Sequence, residues 1–279
     1  MNMSQKTAVP AHKESSSDDR MPVLFVGHGS PMNAIEESVF SRGWREVARS
    51  LPKPKAILCI SAHWETRDPR VTAMDSPPTI HDFGGFPEAL YAMSYPAPGN
   101  PDLAAETKRI VRRVPIGLDR EWGLDHGCWS VLSRMYPQAE VPVVQLSLAR
   151  RLSPREQYAL AAALTPLRRQ GVLILASGNI VHNLGRVVLR GDDFNEPFGL
   201  DWALAASDKI KTLIREDRHE ELMDYGRLGR DVALAVPTPE HYLPLLYALA
   251  LKEEDEQVTF FNDQPVAGSL TMTSLLIRS

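Results

Sequence analysis

The chain has 279 residues, 43% of them hydrophobic and 24% charged, with a formal net charge of −4. This length supports a substantial buried core, and the composition is that of an ordinary globular protein. The mild negative charge gives no bulk attraction to nucleic acid or to an anionic membrane surface, and no apolar run of about 18 residues predicts a transmembrane helix.

Residues 1–20 are polar, with Ser15-Ser16-Ser17-Asp18-Asp19 among them, and lack the apolar stretch of a secretory signal. They read as a disordered N-terminal tail, with a single domain expected over residues 21–279. The first strand is predicted over 22–26 and leads into Gly27-His28-Gly29-Ser30-Pro31. A helix is predicted over 33–49. The second strand, 56–61, leads into Ser61-Ala62-His63-Trp64, and a third is expected over 70–74. The segment 76–98 carries Pro77, Pro78, Pro87, Pro96 and Pro98 among Phe83, Phe86, Tyr91 and Tyr95. So much apolar surface in a proline-rich stretch predicts an ordered loop covering a pocket.

Helices follow over 101–113 and 128–136, the second preceded by Leu124-Asp125-His126-Gly127-Cys128. A strand is predicted over 142–148. Ser153-Pro154-Arg155-Glu156 then opens a helix over 154–169, with Ser as N-cap, Pro at the first helical position and Glu at the third. Leu160, Leu164 and Leu167 fall on one face of that helix. The strand 171–176 leads into Ser177-Gly178-Asn179-Ile180-Val181-His182-Asn183. Further helices are predicted over 201–217 and 239–250. Thr238-Pro239 opens the latter, as Asn100-Pro101 opens the helix over 101–113, which puts Glu240 and His241 in a first helical turn. Strands 256–261 and 269–276 are joined by Asn262-Asp263-Gln264-Pro265, so an antiparallel hairpin at a sheet edge is expected. Alternating strands and helices give an α/β fold: one domain with a mostly parallel or mixed central sheet flanked by helices. The two cysteines, Cys59 and Cys128, are read as reduced thiols of a cytoplasmic protein, with one disulfide as the alternative.

Three of these strands deliver His28, His63 and His182 to their carboxyl ends, where open α/β sheets bind ligands. Neutral imidazole is a ligand for iron, zinc and copper, so a metal-binding cleft follows. Each histidine also has a plainer reading. His28, between two glycines, suits a tight turn as well as a close approach to a ligand. His63 suits a hydrogen-bonded core position. His182 reads as a backbone-bonded loop residue, a ligand or an acid/base group. His126 suits a turn before a helix, with Asp125 beside it to orient an imidazole. His241 is a polar residue near a helix start, with Glu240 offering a carboxylate to the same site. His81 reads as loop packing or a substrate contact, and His12 and His219 as solvated surface residues. No HExxH, paired CxxC, GxGxxG, P-loop or GxSxG motif is present, so the residues alone do not reach a reaction.

Six segments together carry a resemblance. Gly27-His28-Gly29-Ser30-Pro31-Met32, Ser61-Ala62-His63-Trp64, Asp82-Phe83-Gly84-Gly85-Phe86-Pro87, Leu124-Asp125-His126-Gly127, Ser177-Gly178-Asn179-Ile180-Val181-His182-Asn183 and Pro239-Glu240-His241 occur in this order. They resemble the 4,5-DOPA extradiol dioxygenase family, within the class III (LigB-like) extradiol ring-cleavage superfamily. The resemblance runs from about residue 21 to the C-terminus. It implies a LigB-like α/β fold and one divalent metal per chain, with His28, His63 and His241 as ligands and His182 as a fourth ligand or a close acid/base. His126 is implied as a catalytic group beside the substrate. Where the superfamily places two histidines and a glutamate on Fe(II), this chain has His241 with Glu240 adjacent. Fe(II) is implied for oxygen chemistry, and zinc is the other ion such sites hold.

The activity implied is ring cleavage of a DOPA-like catechol with O2, giving a muconic semialdehyde-type product. Phe83, Phe86 and Tyr95 are expected to wall off the aromatic ring. The expected partners are a small aromatic diol and O2, with no nucleic acid and no membrane, in a monomer or small homo-oligomer. A zinc-dependent hydrolase and a non-catalytic metal-binding protein on the same fold are the alternatives.

Overall fold

Residues in the first strand alternate between two hydrophobic cores. In the computed structural model, which describes residues 20–191 and 193–279, Val23 and Phe25 face one core while Leu24 and Val26 face the other. The second strand repeats the pattern, with Leu58 and Ile60 on one side and Ile57 and Cys59 on the other. A strand buried on both faces belongs in the middle of a helix-covered sheet. The strands are β1 (Val23–Gly27), β2 (Ala56–Thr66), β3 (Arg70–Thr72), β4 (Gly117–Asp119), β5 (Val143–Ala149), β6 (Val172–Gly178), β7 (Gln257–Phe261), β8 (Pro265–Val266), β9 (Leu270–Thr271) and β10 (Ser274–Arg278). Eight of them form one sheet in the order β4-β3-β5-β2-β6-β1-β10-β7, and β8 and β9 pair separately.

The centre of the sheet is parallel: β5, β2, β6 and β1 run the same way. Antiparallel pairing flanks it, between β3 and β5 on one side and among β1, β10 and β7 on the other. The expected edge hairpin is present as the β7–β10 pair, but the predicted strand 269–276 is divided into β9 and β10. Strand β2 runs further than predicted, so His63 lies inside it rather than in the loop beyond. Its ladder with β5 is interrupted between Ile60 and Glu65, and His63 sits in that interruption. Such irregularities re-aim side chains near functional sites.

The helices are α1 (Val39–Ser50), α2 (Glu88–Tyr91), α3 (Pro101–Ile110), α4 (His126–Met135), α5 (Pro154–Ala162), α6 (Thr165–Arg169), α7 (Asp201–Arg215), α8 (His219–Met223), α9 (Arg230–Ala235) and α10 (Leu243–Ala250). Local chemistry explains where they depart from expectation. Helix α1 starts at Val39 instead of residue 33 because Ser38 and Ser41 form a reciprocal cap. The helix expected over 154–169 divides into α5 and α6, since Pro166 has no N–H for an interior helical bond. The Ser153 cap forms as predicted, with Glu156 bonding back to the Ser153 backbone. Thr238-Pro239 does not start a helix; residues 239–242 form a turn, and α10 begins at Leu243.

The tail expected over 1–20 lies outside the described residues except for Arg20, which pairs with Glu253 and Asp255. Cys59 and Cys128 are free and fully buried. His219, expected to be solvated, is half-buried, with its Nδ1 2.8 Å from the Tyr158 hydroxyl.

One buried ion pair, Arg168 with Glu256, ties α6 to the segments before β1 and after α10. Arg168, fully enclosed, donates Nε to the Met21 carbonyl (2.8 Å) and Nη1 to the Leu251 carbonyl (2.6 Å) and to Glu256 (2.8 Å). Removing one partner of such a pair leaves the other charge buried and uncompensated. Arg168→Ala is therefore expected to lower unfolding free energy by about 3–5 kcal/mol in a denaturant titration, and a loss below about 1 kcal/mol, the level of a surface pair, would contradict this account.

Candidate metal centre

The carboxyl ends of β1 and β6 lie side by side, with Gly27 opposite Gly178 and Ser61 of β2 opposite Ser177. His28 follows β1 directly, and its backbone N–H donates to the Gly178 carbonyl at 3.1 Å. His63 comes from the irregular part of β2. His241 arrives on the turn before α10, held by a bond from the Asn179 N–H to the His241 carbonyl at 2.8 Å. The backbone there is so close that a Cβ on Gly178 would stand 2.2 Å from the His241 carbonyl oxygen. Only glycine permits this approach.

Three imidazoles therefore meet. The ring centres of His28, His63 and His241 are 4.9, 5.0 and 5.3 Å apart pairwise, and the Nε2 atoms of His28 and His63 are 3.1 Å apart. Imidazole nitrogens about 2.0–2.1 Å from one ion hold their ring centres about 5 Å apart. The hydrogen positions agree with that arrangement. The Ser177 hydroxyl donates to the Gly127 carbonyl at 2.5 Å, so its oxygen accepts from His28 Nδ1 at 3.0 Å. His241 Nδ1 faces the Glu240 carboxylate at 3.1 Å, and His63 Nδ1 stands 3.5 Å from Asp82. A carboxylate only accepts, so each ring carries its hydrogen on Nδ1 and keeps the Nε2 lone pair for the centre.

Electrostatics favour the same state. Burial pushes the His28 and His63 pKa values well below the usual imidazole range, and the neighbouring histidines push them further. Burial also lowers His241, against the opposing pull of Glu240. Burial works to raise the Glu240 carboxyl, but hydrogen bonds from His241 and the backbone win and hold it at about 2. Neutral imidazoles with an outer shell of acceptors form a donor set that fits iron or zinc.

Two further histidines complete the cluster: His126 offers a ligand atom within 4.8 Å of those of His28 and His63, and His182, Glu240 and His241 offer atoms equally close to one another. His126 lies 3.8 Å from His63, centre to centre, and its Nδ1 is 3.0 Å from Asp82. His182 stacks on His241 at 3.5 Å with the rings 7° from parallel. Parallel rings that close cannot both aim a lone pair at one ion. Burial, with His241 adding to it, lowers His182 to about 3, so it is a neutral ring with a free base. His28, Glu240 and the other four histidines are all within this neighbourhood, and all five rings line a cavity of about 1220 Å³ together with Phe83 and Phe86.

Several expected roles change. Tyr95 does not line the cavity; it is buried and donates to the Tyr136 carbonyl. His81 donates Nε2–H to the Met93 carbonyl at 3.0 Å and packs among Phe83, Tyr91 and Trp129, outside the cavity wall. Asp125 orients no imidazole, because its oxygens receive Ser61 Oγ, Gln145 Nε2 and the Cys128 N–H that it caps. The orienting carboxylate is instead Asp82, which sequence reasoning passed over; its place in the loop expected to cover a pocket was the available signal. Ser177, in the segment beside His182, was likewise missed.

Known proteins agree with this architecture. The model of the catalytic LigB subunit of aromatic ring-opening dioxygenase matches residues 22–271. The chain belongs to the LigB family. A protein of Escherichia coli (strain K12) named 4,5-DOPA dioxygenase extradiol is 44% identical, covering 94% of this chain and 96% of its own length. One of Beta vulgaris with the same name is 37% identical, covering 95% and 99%. The crystal structure of an uncharacterized Escherichia coli K12 protein has a TM-score of 0.80 at 38% identity, covering 93% of this chain and 100% of that one. The LigB chain described here is thus an oxidoreductase, an extradiol aromatic ring-opening dioxygenase. The family is metal-dependent, which accords with the histidine cluster. Among the described residues, no helix is long and apolar enough to cross a membrane.

Outer-shell partners of ligating histidines typically carry about 10–100-fold in metal affinity. Ser177→Ala is expected to weaken divalent-metal binding by that order in a chelator competition; unaltered affinity would detach Ser177 from the orientation of His28.

Proposed function

We propose that this chain cleaves a catechol-type, DOPA-like ring next to its diol, using one metal ion held by His28, His63 and His241. The observation that carries this reading is the spacing of those three rings, each with its Nδ1 hydrogen turned outward. Fe(II) in that position supplies the redox chemistry that lets O2 react with a catechol, whereas zinc in the same ligands is redox-inert.

The remaining residues handle the substrate. The aromatic faces of Phe83 and Phe86 form an apolar wall against which the ring lies, as small-molecule sites require. His182, lining the cavity beside His241, takes a phenolic proton as the diol binds, the kind of step worth about 10²–10⁴-fold. Its stack on His241 makes acid/base work, rather than ligation, its role. His126, turned by Asp82, donates a hydrogen bond to oxygen carrying developing charge. Both atoms of O2 enter the product, a yellow muconic semialdehyde-type compound. The zinc hydrolase reading has no observation in its favour beyond the same imidazoles.

Anaerobic reconstitution with Fe(II), followed by a catechol and air, should give oxygen uptake and a yellow product. Iron-loaded protein that consumes no O2 with any catechol would overturn the proposal. His28→Ala and His63→Ala should each lose most bound metal with the fold retained by circular dichroism; full occupancy would contradict the ligand set. His126→Ala should keep its metal and lower kcat by about 10²-fold or more, in keeping with loss of a charge-stabilising donor, and an unchanged kcat would remove it from the mechanism.

A further inference from the structure

A buried carboxylate stands behind the break in the β2–β5 ladder where His63 sits. Asp125 is fully enclosed. One of its oxygens receives Ser61 Oγ at 2.6 Å and the Cys128 N–H at 3.2 Å, and the other receives Gln145 Nε2 at 2.7 Å. Ser61 belongs to β2, Gln145 to β5 and Cys128 to the first turn of α4.

The backbone fixes the hydrogens of this network, because its N–H groups only donate. The His63 N–H points to Ser61 Oγ at 3.2 Å, which leaves the Ser61 hydroxyl hydrogen for Asp125. The Asp125 N–H points to Gln145 Oε1 at 3.0 Å, so the amide presents its NH2 to the carboxylate. Both oxygens of Asp125 are therefore acceptors.

Two histidines depend on these bonds through their main chains. Ser61 holds the His63 N–H, and His126 opens the helix that Asp125 caps. The two segments are pressed together: a Cβ on Gly127 would stand 2.4 Å from Ser61 Oγ and 2.9 Å from His63 Cδ2. The Gly127 carbonyl, in the same turn, accepts from Ser177, the hydroxyl beside His28. The start of α4 thus bears on three of the clustered rings, and Asp125 fastens it to β2.

We propose that Asp125 is a positioning residue: through Ser61 and the cap of α4 it sets the His63 ring against the His126 ring, at the observed 3.8 Å between centres. It bonds neither ring. It holds the two backbones from which the rings project. A displacement of about 1 Å in such a site can cost about 10²-fold in rate. The consequences for metal affinity and turnover rest on the roles proposed above for His63 and His126; the ring placement does not.

Asp125→Asn separates positioning from capping. Asn caps a helix about as well as Asp, so a residue that only caps loses little by the change. Here the new amide would set its NH2 against that of Gln145, and Gln145 cannot turn over without facing the backbone N–H of residue 125. Adding Gln145→Glu restores an acceptor at unchanged net charge. In crystal structures, Asp125→Asn should move the His63 and His126 ring centres apart by about 1 Å. Divalent-metal affinity in a chelator competition should fall about tenfold, and kcat by about tenfold or more with KM changed less. The pair Asp125→Asn with Gln145→Glu should recover most of each loss. Ser61→Ala, which spares the cap of α4, should displace His63 in the same way, so the proposal stays open to refutation even if Asp125→Asn fails to fold. Rings that keep their places in Asp125→Asn or in Ser61→Ala, or a double variant that restores nothing, would reduce Asp125 to a cap. If His63→Ala binds metal as tightly as the native chain, the ligand reading falls, and the ring positions still decide the role of Asp125.

Discussion

Parallel, in-register pairing of β1, β6 and β2 is the constraint on which this molecule depends. Parallel strands end at the same edge, so residues far apart in the chain arrive side by side. Gly27 opposite Gly178 and Ser61 opposite Ser177 fix that edge to within one residue. A slip of one residue in either ladder would turn every side chain to the other face, moving Val23 and Phe25 out of their core and sending His28 away from His63. The two hydrophobic cores therefore hold the register that the imidazoles need. The glycine that lets the His241 turn press against β6 extends the same logic to a segment outside the sheet.

Outside the imidazoles stands a ring of acceptors: Ser177, Asp82 and Glu240. Each faces a histidine nitrogen that does not point to the centre. Their effect is to choose one tautomer and one ring orientation for each histidine before any ion arrives. Asp82 serves two rings at once and also accepts the His126 backbone N–H at 2.9 Å. It thereby couples the aromatic loop to the start of α4. Burial raises the Asp82 carboxyl, but its bonds and charge contacts with His126 outweigh that and keep it ionised.

Much of the sheet was legible in the chain because buried parallel strands are short, apolar and bounded by turn residues. Six of the expected strands lie where runs such as Val172–Leu175 or Val143–Leu146 stand out against polar flanks. β4 and β8 were not legible: three and two residues carry too little pattern to rise above a loop. β2 was read too short since Ala62-His63-Trp64 breaks the apolar run while the backbone stays extended. Local caps told true at Ser153 and Asn100 and misled at Thr238, where the following residues fold into a turn that presents His241. The histidines themselves were legible by type and position. Their partners were not, because Asp82 and Ser177 are ordinary residues in sequence and acquire meaning only through contacts made across long stretches of chain.

Cys59 and Cys128 sit side by side in the core beneath the histidines, fully enclosed. Burial, reinforced by Cys59, pushes the Cys128 thiol well above the ordinary thiol range. Oxidants attack the thiolate, and the neutral thiol resists them. A catalyst that draws oxygen into its interior, next to electron-rich diols, is exposed to stray peroxide at each misfired cycle. Sealing these two thiols behind apolar packing keeps them out of reach of oxidants in the cleft.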